Sequence, residues 1–93
     1  AEGRQQLTLR GELNVLQAVE LQRVALELAG SGQDVVIDCE RAGSMDIAVL
    51  QVLLALAETL GAQGRSLGWA GLSPEVRSGF DLAGVSERLR VNS

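Results

Sequence analysis

The 93-residue sequence contains no histidine, no lysine and no tyrosine, and it has one cysteine. Histidine is the commonest general base of enzymes and a frequent metal ligand, so its absence removes the usual parts of a catalytic or metal site. The lone Cys39 can form neither an internal disulfide nor a cysteine metal cluster. We therefore expect a non-catalytic protein, and the cysteine usage agrees with a reducing cytoplasm.

Aromatic and basic residues are also scarce. Trp69 and Phe80 are the only aromatics, the net charge is −4 at pH 7, and the arginines are scattered singly. Nucleic-acid binding generally needs a basic stripe, often with aromatic residues for stacking. Anionic membrane surfaces are disfavoured for the same reason, and the apolar run over residues 47–57 is too short to span a bilayer. We expect no nucleic-acid partner and no direct membrane insertion.

The first half of the chain alternates between strand and helix patterns. Leu7, Leu9, Gly11 and Leu13 alternate with polar residues at period two, which predicts a half-buried strand. Asn14 is a suitable cap for a helix that ends at Gly30. The β-branched run 35–37 predicts a strand buried on both faces, and the polar residues 38–44 predict a connecting loop.

The second half continues the alternation. A helix is predicted from Asp46 to about Leu60, then a weaker strand over 66–70. Ser73 followed by proline and glutamate predicts another helix start, and Gly84 closes that helix. The order strand, helix, strand, helix, strand, helix predicts a single α/β domain over residues 1–93. Its small, mainly parallel central sheet is flanked by helices.

The second helix has an unusual outer face. Positions at 100° steps place one set of apolar residues on a core side, namely Val49, Leu50, Leu53, Ala57 and Leu60. The opposite face and its flanks carry few charges and hold Ala48, Gln51, Ala55 and Glu58 with Ile47, Val52, Leu54 and Thr59. Either neighbouring elements of the domain cover this face, or it is a docking surface for another protein.

The polar residues before this helix have structural explanations. Asp46 is predicted to cap the helix, and Ser44 is predicted to be a turn residue. Asp38 and Glu40 could form a carboxylate cluster with Asp46, but their spacing matches no calcium loop. The glycines form no phosphate-binding motif. We expect no metal and no cofactor, and we expect Cys39 to be a small buried apolar residue.

Five segments, in order and suitably spaced, resemble motifs of the STAS domain family, whose members include anti-sigma-factor antagonists. They are 11–14 (GELN), 35–38 (VVID), 45–50 (MDIAVL), 72–76 (LSPEV) and 82–85 (LAGV). The resemblance implies a bacterial, cytoplasmic regulatory protein of signal transduction with no active site of its own. Many members bind an ATP-dependent kinase or an anti-sigma factor through the loop and first turns of the second helix.

The resemblance and the bare helix face together predict the partner-binding residues. They are Ser44, Asp46, Ile47, Ala48, Gln51, Val52 and Ala55. In many members the kinase phosphorylates a Ser or Thr just after the motif's aspartate, and the added charge breaks the complex. Ile47 and Ala48 occupy those positions, and Ser44 is only a weak substitute because it precedes the cap. Because the sequence departs from the family's pattern at these positions, we expect a constitutive docking module that is regulated by the state of its partner.

Three classes of function remain at this point. The first is a regulatory module that docks on an anti-sigma-type kinase, a chemotaxis-type histidine kinase or a larger signalling assembly. The second is a structural subunit, because small stand-alone STAS proteins also bind the ATPase of ABC-type lipid transport systems. An enzyme is the third class, and it would have to work with carboxylates, Arg, Ser and Cys alone.

Overall fold

The computed structural model describes residues 4–91. Within this range the elements are β1 (Arg4–Leu13), α1 (Val15–Ala29), β2 (Asp34–Met45), α2 (Ile47–Ala62), β3 (Leu67–Leu72) and α3 (Pro74–Ala83). The strands form a parallel sheet in the order β1-β2-β3. The predicted α/β fold is confirmed, and the element order is the one that the sequence predicts.

Local capping chemistry explains where the helices begin and end. Asn14 and Gln17 form a capping box, in which the Gln17 side chain accepts from the Asn14 N–H at 3.0 Å. The hydroxyl of Ser73 accepts from the N–H of Val76 at 3.1 Å at the start of α3. Gly84 ends that helix with a φ of 72°, a conformation that costs glycine little.

The core lies on one face of the sheet. Val35, Ile37 and Cys39 of β2 are completely buried on that face. Trp69 of β3 and Phe80 of α3 meet edge to face there, with ring centroids 5.5 Å apart. This geometry is favourable for aromatic pairs, and it anchors α3 to the sheet.

Two sequence predictions about β2 are wrong. The polar residues 38–44 do not form a loop, because β2 continues to Met45 and its Arg41 and Ala42 pair with β1. Val36 is only half-buried, so the strand is not buried on both faces. The reason is common to both: the helices cover one face, and the polar side chains of the strand's second half lie largely on the other.

The carboxyl ends of the strands hold the starts of two helices. The N–H of Asp46 donates to the carbonyl of Leu13 at 2.8 Å, which joins the start of α2 to the end of β1. The hydroxyl of Ser73 donates to the carbonyl of Ala42 at 2.8 Å, which joins the start of α3 to β2. The start of α2 is therefore bonded to the end of β1, and the start of α3 is bonded to β2.

Arg65 ties the end of α1 to the rest of the domain. Its guanidinium donates to the carbonyls of Leu28 and Ala29, each at 2.7 Å, and to that of Gln33 at 2.9 Å. The last turn of α1 contains no basic residue of its own. Arg65 therefore supplies, from the loop before β3, the cation that a helix C-terminus favours.

Candidate protein-docking surface

An apolar groove of about 430 Å³ lies between α1 and α2. Its apolar lining includes Val15, Val19 and Leu26 from α1, and Ala48, Val52 and Ala55 from α2. Gln22, Gln51 and Thr59 add polar groups, and no lining residue is charged. We call this surface the α1–α2 groove. It is notable because the chain as a whole carries 20 charged residues, 8 basic and 12 acidic.

The α1 wall of the groove consists of large apolar side chains in contact with solvent. Val15, Val19 and Leu26 are 54%, 66% and 70% exposed. Exposed apolar residues gathered along one groove are typical of an interaction site, whereas single ones need no explanation.

The sequence analysis missed this wall, although the signal was present. Val15, Val19 and Leu26 recur at helical spacing on a face of α1 next to the buried one. The buried face of α1 is explained by packing within the fold. The exposed apolar residues beside it are not, so they indicate a surface that another molecule covers.

The α2 wall contains four of the seven predicted partner-binding residues. Ala48 and Val52 are half-buried, while Gln51 and Ala55 are exposed, and all four line the groove. α1 borders this face on one side, and near the end of α2 the Glu58 carboxylate forms an ion pair of 3.0 Å with Arg88 of the C-terminal segment. Ile47 is 66% exposed in the first turn of the helix but is not part of the groove lining.

Asp46 lies at the start of α2 and acts as its cap. Its Oδ1 accepts a hydrogen bond of 2.8 Å from the N–H of Ala48. Its own carbonyl accepts from the N–H groups of Val49 and Leu50, at 2.9 and 3.3 Å. The carboxylate is thus occupied with the helix start, which explains the residue without any chemical role.

Ser44 does not lie in the groove. It belongs to β2 rather than to a turn, and its exposed hydroxyl donates to the carboxylate of Glu12. It lines a separate hollow of about 150 Å³ together with Val76 and Phe80 of α3. A phosphate at Ser44 would face the Glu12 carboxylate, and like charges at that distance repel.

The remaining reactive groups are held in structural roles. Cys39 is completely buried, and this burial raises the pKa of its thiol to about 12, so the thiol stays protonated near neutral pH. Asp38 accepts the N–H of Glu40 at 2.9 Å. In the part of the chain that the structure describes, no group of three or more His, Cys, Asp or Glu side chains could hold a metal ion. Among the helices of residues 4–91, none combines the length and the apolar composition that a membrane span requires.

Comparison with known families agrees with the fold. A family model described as "Mlab, STAS domain" matches residues 1–91 of the 93-residue chain. No curated protein matches the sequence. STAS domains are generally non-catalytic modules with regulatory or binding roles. The match spans nearly the whole chain and includes all five motif segments, so this chain belongs to the STAS domain family.

Proposed function

We propose that this STAS domain is a regulatory docking module that binds a protein partner of bacterial signal transduction in the α1–α2 groove. One observation carries the proposal: the groove is apolar and uncharged, and it is open to solvent in an otherwise charge-rich domain. An exposed apolar surface of that kind is typical of a site that binds a partner.

The shape of the groove fits a helix of the partner. The lining residues run from Val15 to Ala29 on α1 and from Ala48 to Thr59 on α2, so the walls are about 22 Å and about 18 Å long, which matches three to four turns of a third helix. Ala48 and Ala55 keep the α2 wall low, so that the backbone of a docked helix can come close. Apolar anchors at helical spacing would then fill the space beside Val19 and Leu26.

Phosphorylation of this chain is not part of the proposed mechanism. Ile47 and Ala48 occupy the acceptor positions and have no hydroxyl group. Ser44 lies outside the groove and is bonded to Glu12. We therefore propose that docking is constitutive and that the state of the partner, a kinase of the anti-sigma or chemotaxis type, controls the complex.

The test is affinity co-purification of the tagged protein with three variants. Gln51→Arg and Ala55→Arg each place a long charge in the groove and should lose the partner. Ala62→Arg is the matched control, because Ala62 is exposed on the last turn of the same helix, outside the groove. Recovery of a kinase or signalling protein by wild type and Ala62→Arg alone supports the proposal. Equal recovery by all four proteins contradicts the placement of the surface.

A second candidate is the structural role of a subunit bound to the ATPase of an ABC-type lipid transport system. The description of the matching family names Mlab and does not name an anti-sigma-factor antagonist. The missing acceptor hydroxyl also suits a subunit that needs no phosphorylation switch. Recovery of a transporter ATPase in the same co-purification would favour this candidate over the first.

A further inference from the structure

Each wall of the α1–α2 groove carries one glutamine within a row of apolar residues. On α1, the residues three before and four after Gln22 are Val19 and Leu26, and on α2 the residues at the same spacing around Gln51 are both alanines. All six of these residues line the groove. Residues three and four apart share one face of a helix. A molecule that covers the apolar residues of either wall therefore also covers its glutamine.

The two glutamine amides have no hydrogen-bond partner within residues 4–91. Both side chains are exposed, so water can bond to them in the free protein. A partner that covers the groove removes this water, and a buried amide without a hydrogen bond is unfavourable. The occupant of the groove must therefore bring its own polar groups to Gln22 and Gln51.

The two glutamines lie about one helical turn apart along the groove. Leu13 and Met45 are paired in the sheet, and α1 and α2 each begin two residues after this pair, so the helices start at about the same level. Gln22 is the eighth residue of α1 and Gln51 is the fifth of α2. The difference of three residues corresponds to about 4.5 Å along the helix axes. Side chains three or four positions apart on a docked helix have a similar separation.

The groove favours neutral polar groups over charged ones. No lining residue is charged, so a carboxylate or an ammonium group of the partner would be buried there without an opposite charge. Amide and hydroxyl groups can both donate to and accept from a glutamine amide. Thr59, the third polar lining residue, makes no such demand, because a threonine hydroxyl can bond to the carbonyl four residues before it in its own helix.

We propose that the docked helix of the partner presents two neutral hydrogen-bonding side chains, three or four positions apart, to Gln22 and Gln51. Asparagine, glutamine, serine and threonine have the required chemistry. The inference rests on the proposed function, because it takes the occupant of the groove to be a helix. Apolar residues on either side of the polar pair provide affinity, and the pair fixes the level at which the helix docks, as a buried asparagine fixes the register of a coiled coil.

Selection from a library of displayed helical peptides tests the proposal. Each peptide is about 15 residues long, which matches the length of the groove, and has aliphatic residues at its outer groove-facing positions. Neutral polar, charged and aliphatic residues are all allowed at the central positions. Selection on wild type should enrich peptides with two neutral polar residues three or four positions apart. Selection on the double variant Gln22→Leu/Gln51→Leu should enrich aliphatic residues there instead.

Fluorescence anisotropy with one selected peptide measures the size of the effect. Replacing its polar pair by leucines should weaken binding to wild type by about tenfold, but should not weaken binding to the double variant. Gln6→Leu is the matched control, because Gln6 is an exposed residue of β1 outside the groove, and it should behave as wild type. Thermal unfolding of each variant shows that it is folded.

The outcomes separate this inference from the proposed function. Selected peptides that do not bind Ala55→Arg but carry aliphatic or charged residues at the central positions overturn the inference alone. A selected polar pair that the double variant prefers as strongly as wild type does also overturns the inference alone. A library that yields no binder, or binders that recognise Ala55→Arg as tightly as wild type, overturns both.

Discussion

The Oδ1 of Asp46 lies 2.8 Å from the backbone nitrogen of Ala48, whose N–H donates to it. Asp46 and Ala48 give the start of α2 its two main features, a helix cap and an apolar side chain in the groove. Asp46 fixes the helix by capping it, and Ala48 presents a methyl group to the α1–α2 groove at a position where a phosphoacceptor would carry a hydroxyl. Under the proposed function, α2 docks on the partner without being switched by phosphorylation at these positions.

Removing the cap should destabilise the domain. We expect Asp46→Ala to lower the free energy of unfolding by about 1 kcal/mol, because the Ala48 N–H loses its acceptor. Asp46→Asn is the matched control and should retain most of the stability, since asparagine caps helices about as well. Urea denaturation monitored by circular dichroism measures both. Equal stability of the alanine variant and wild type would show that the carboxylate does not stabilise α2.

A negative charge at the second helical position should separate binding from stability. Ala48→Glu places a carboxylate in the groove, so we expect partner affinity to fall about tenfold or more. The same carboxylate lies in the first turn of α2, where the helix dipole favours it, so thermal stability should not fall. Titration calorimetry with the recovered partner, with Ala62→Glu as the control, measures the effect. Unchanged affinity for Ala48→Glu would remove Ala48 from the interface.

Arg65 should be important for folding without contributing to docking. We expect Arg65→Ala to cost about 2 kcal/mol, because the carbonyls of Leu28, Ala29 and Gln33 lose a charged donor. Arg65→Lys keeps the positive charge but lacks the several N–H donors of the guanidinium group. Its free energy of unfolding should therefore lie between those of wild type and Arg65→Ala. Chemical denaturation measures the stabilities. Partner binding by the folded variants should equal that of wild type, and a selective loss of binding would contradict a purely structural role.

Cys39 should dominate the response of the fold to alkaline pH. Burial raises the pKa of its thiol from 9.0 to about 12, so in this window the unfolded chain loses a proton that the folded chain retains. Stability is therefore fully present below pH 9 and declines as the pH rises toward 12. The chain has no lysine or tyrosine to titrate in the same range.

Cys39→Ala supplies the control for this pH dependence. The variant creates a cavity and should be less stable at neutral pH, but its stability should change little between pH 9 and 12. Urea midpoints across that range measure both proteins. Parallel curves for wild type and variant would show that the thiol does not carry the effect.

The helices could be predicted from the sequence because their signals are local. Asn14, Ser73 and Gly84 are capping residues whose side chains or backbone act within one turn. The buried face of α2 follows from spacing alone, and Val49, Leu53 and the other predicted core positions are all buried. Such features need no knowledge of what packs against them.

The second half of β2 could not be predicted in this way because its pairing is not local. Asp38, Glu40 and Arg41 are typical loop residues, but they lie in a strand whose hydrogen bonds come from β1 and β3. The α1–α2 groove could not be predicted either, because it exists only where the two helices lie side by side. Gln51 and Ala55 indicated one wall, whereas Val19 and Leu26 became part of the surface only once α1 was placed beside α2.

The most direct test of the docking surface compares Gln51→Arg with wild type in two measurements on the same preparations. Gln51 is exposed in the groove, so the arginine meets the partner without disturbing the core. We predict that partner binding is lost while the free energy of unfolding stays within about 0.5 kcal/mol of wild type. Unchanged binding, or a loss of binding matched by an equal loss of stability, would contradict a docking surface in the α1–α2 groove.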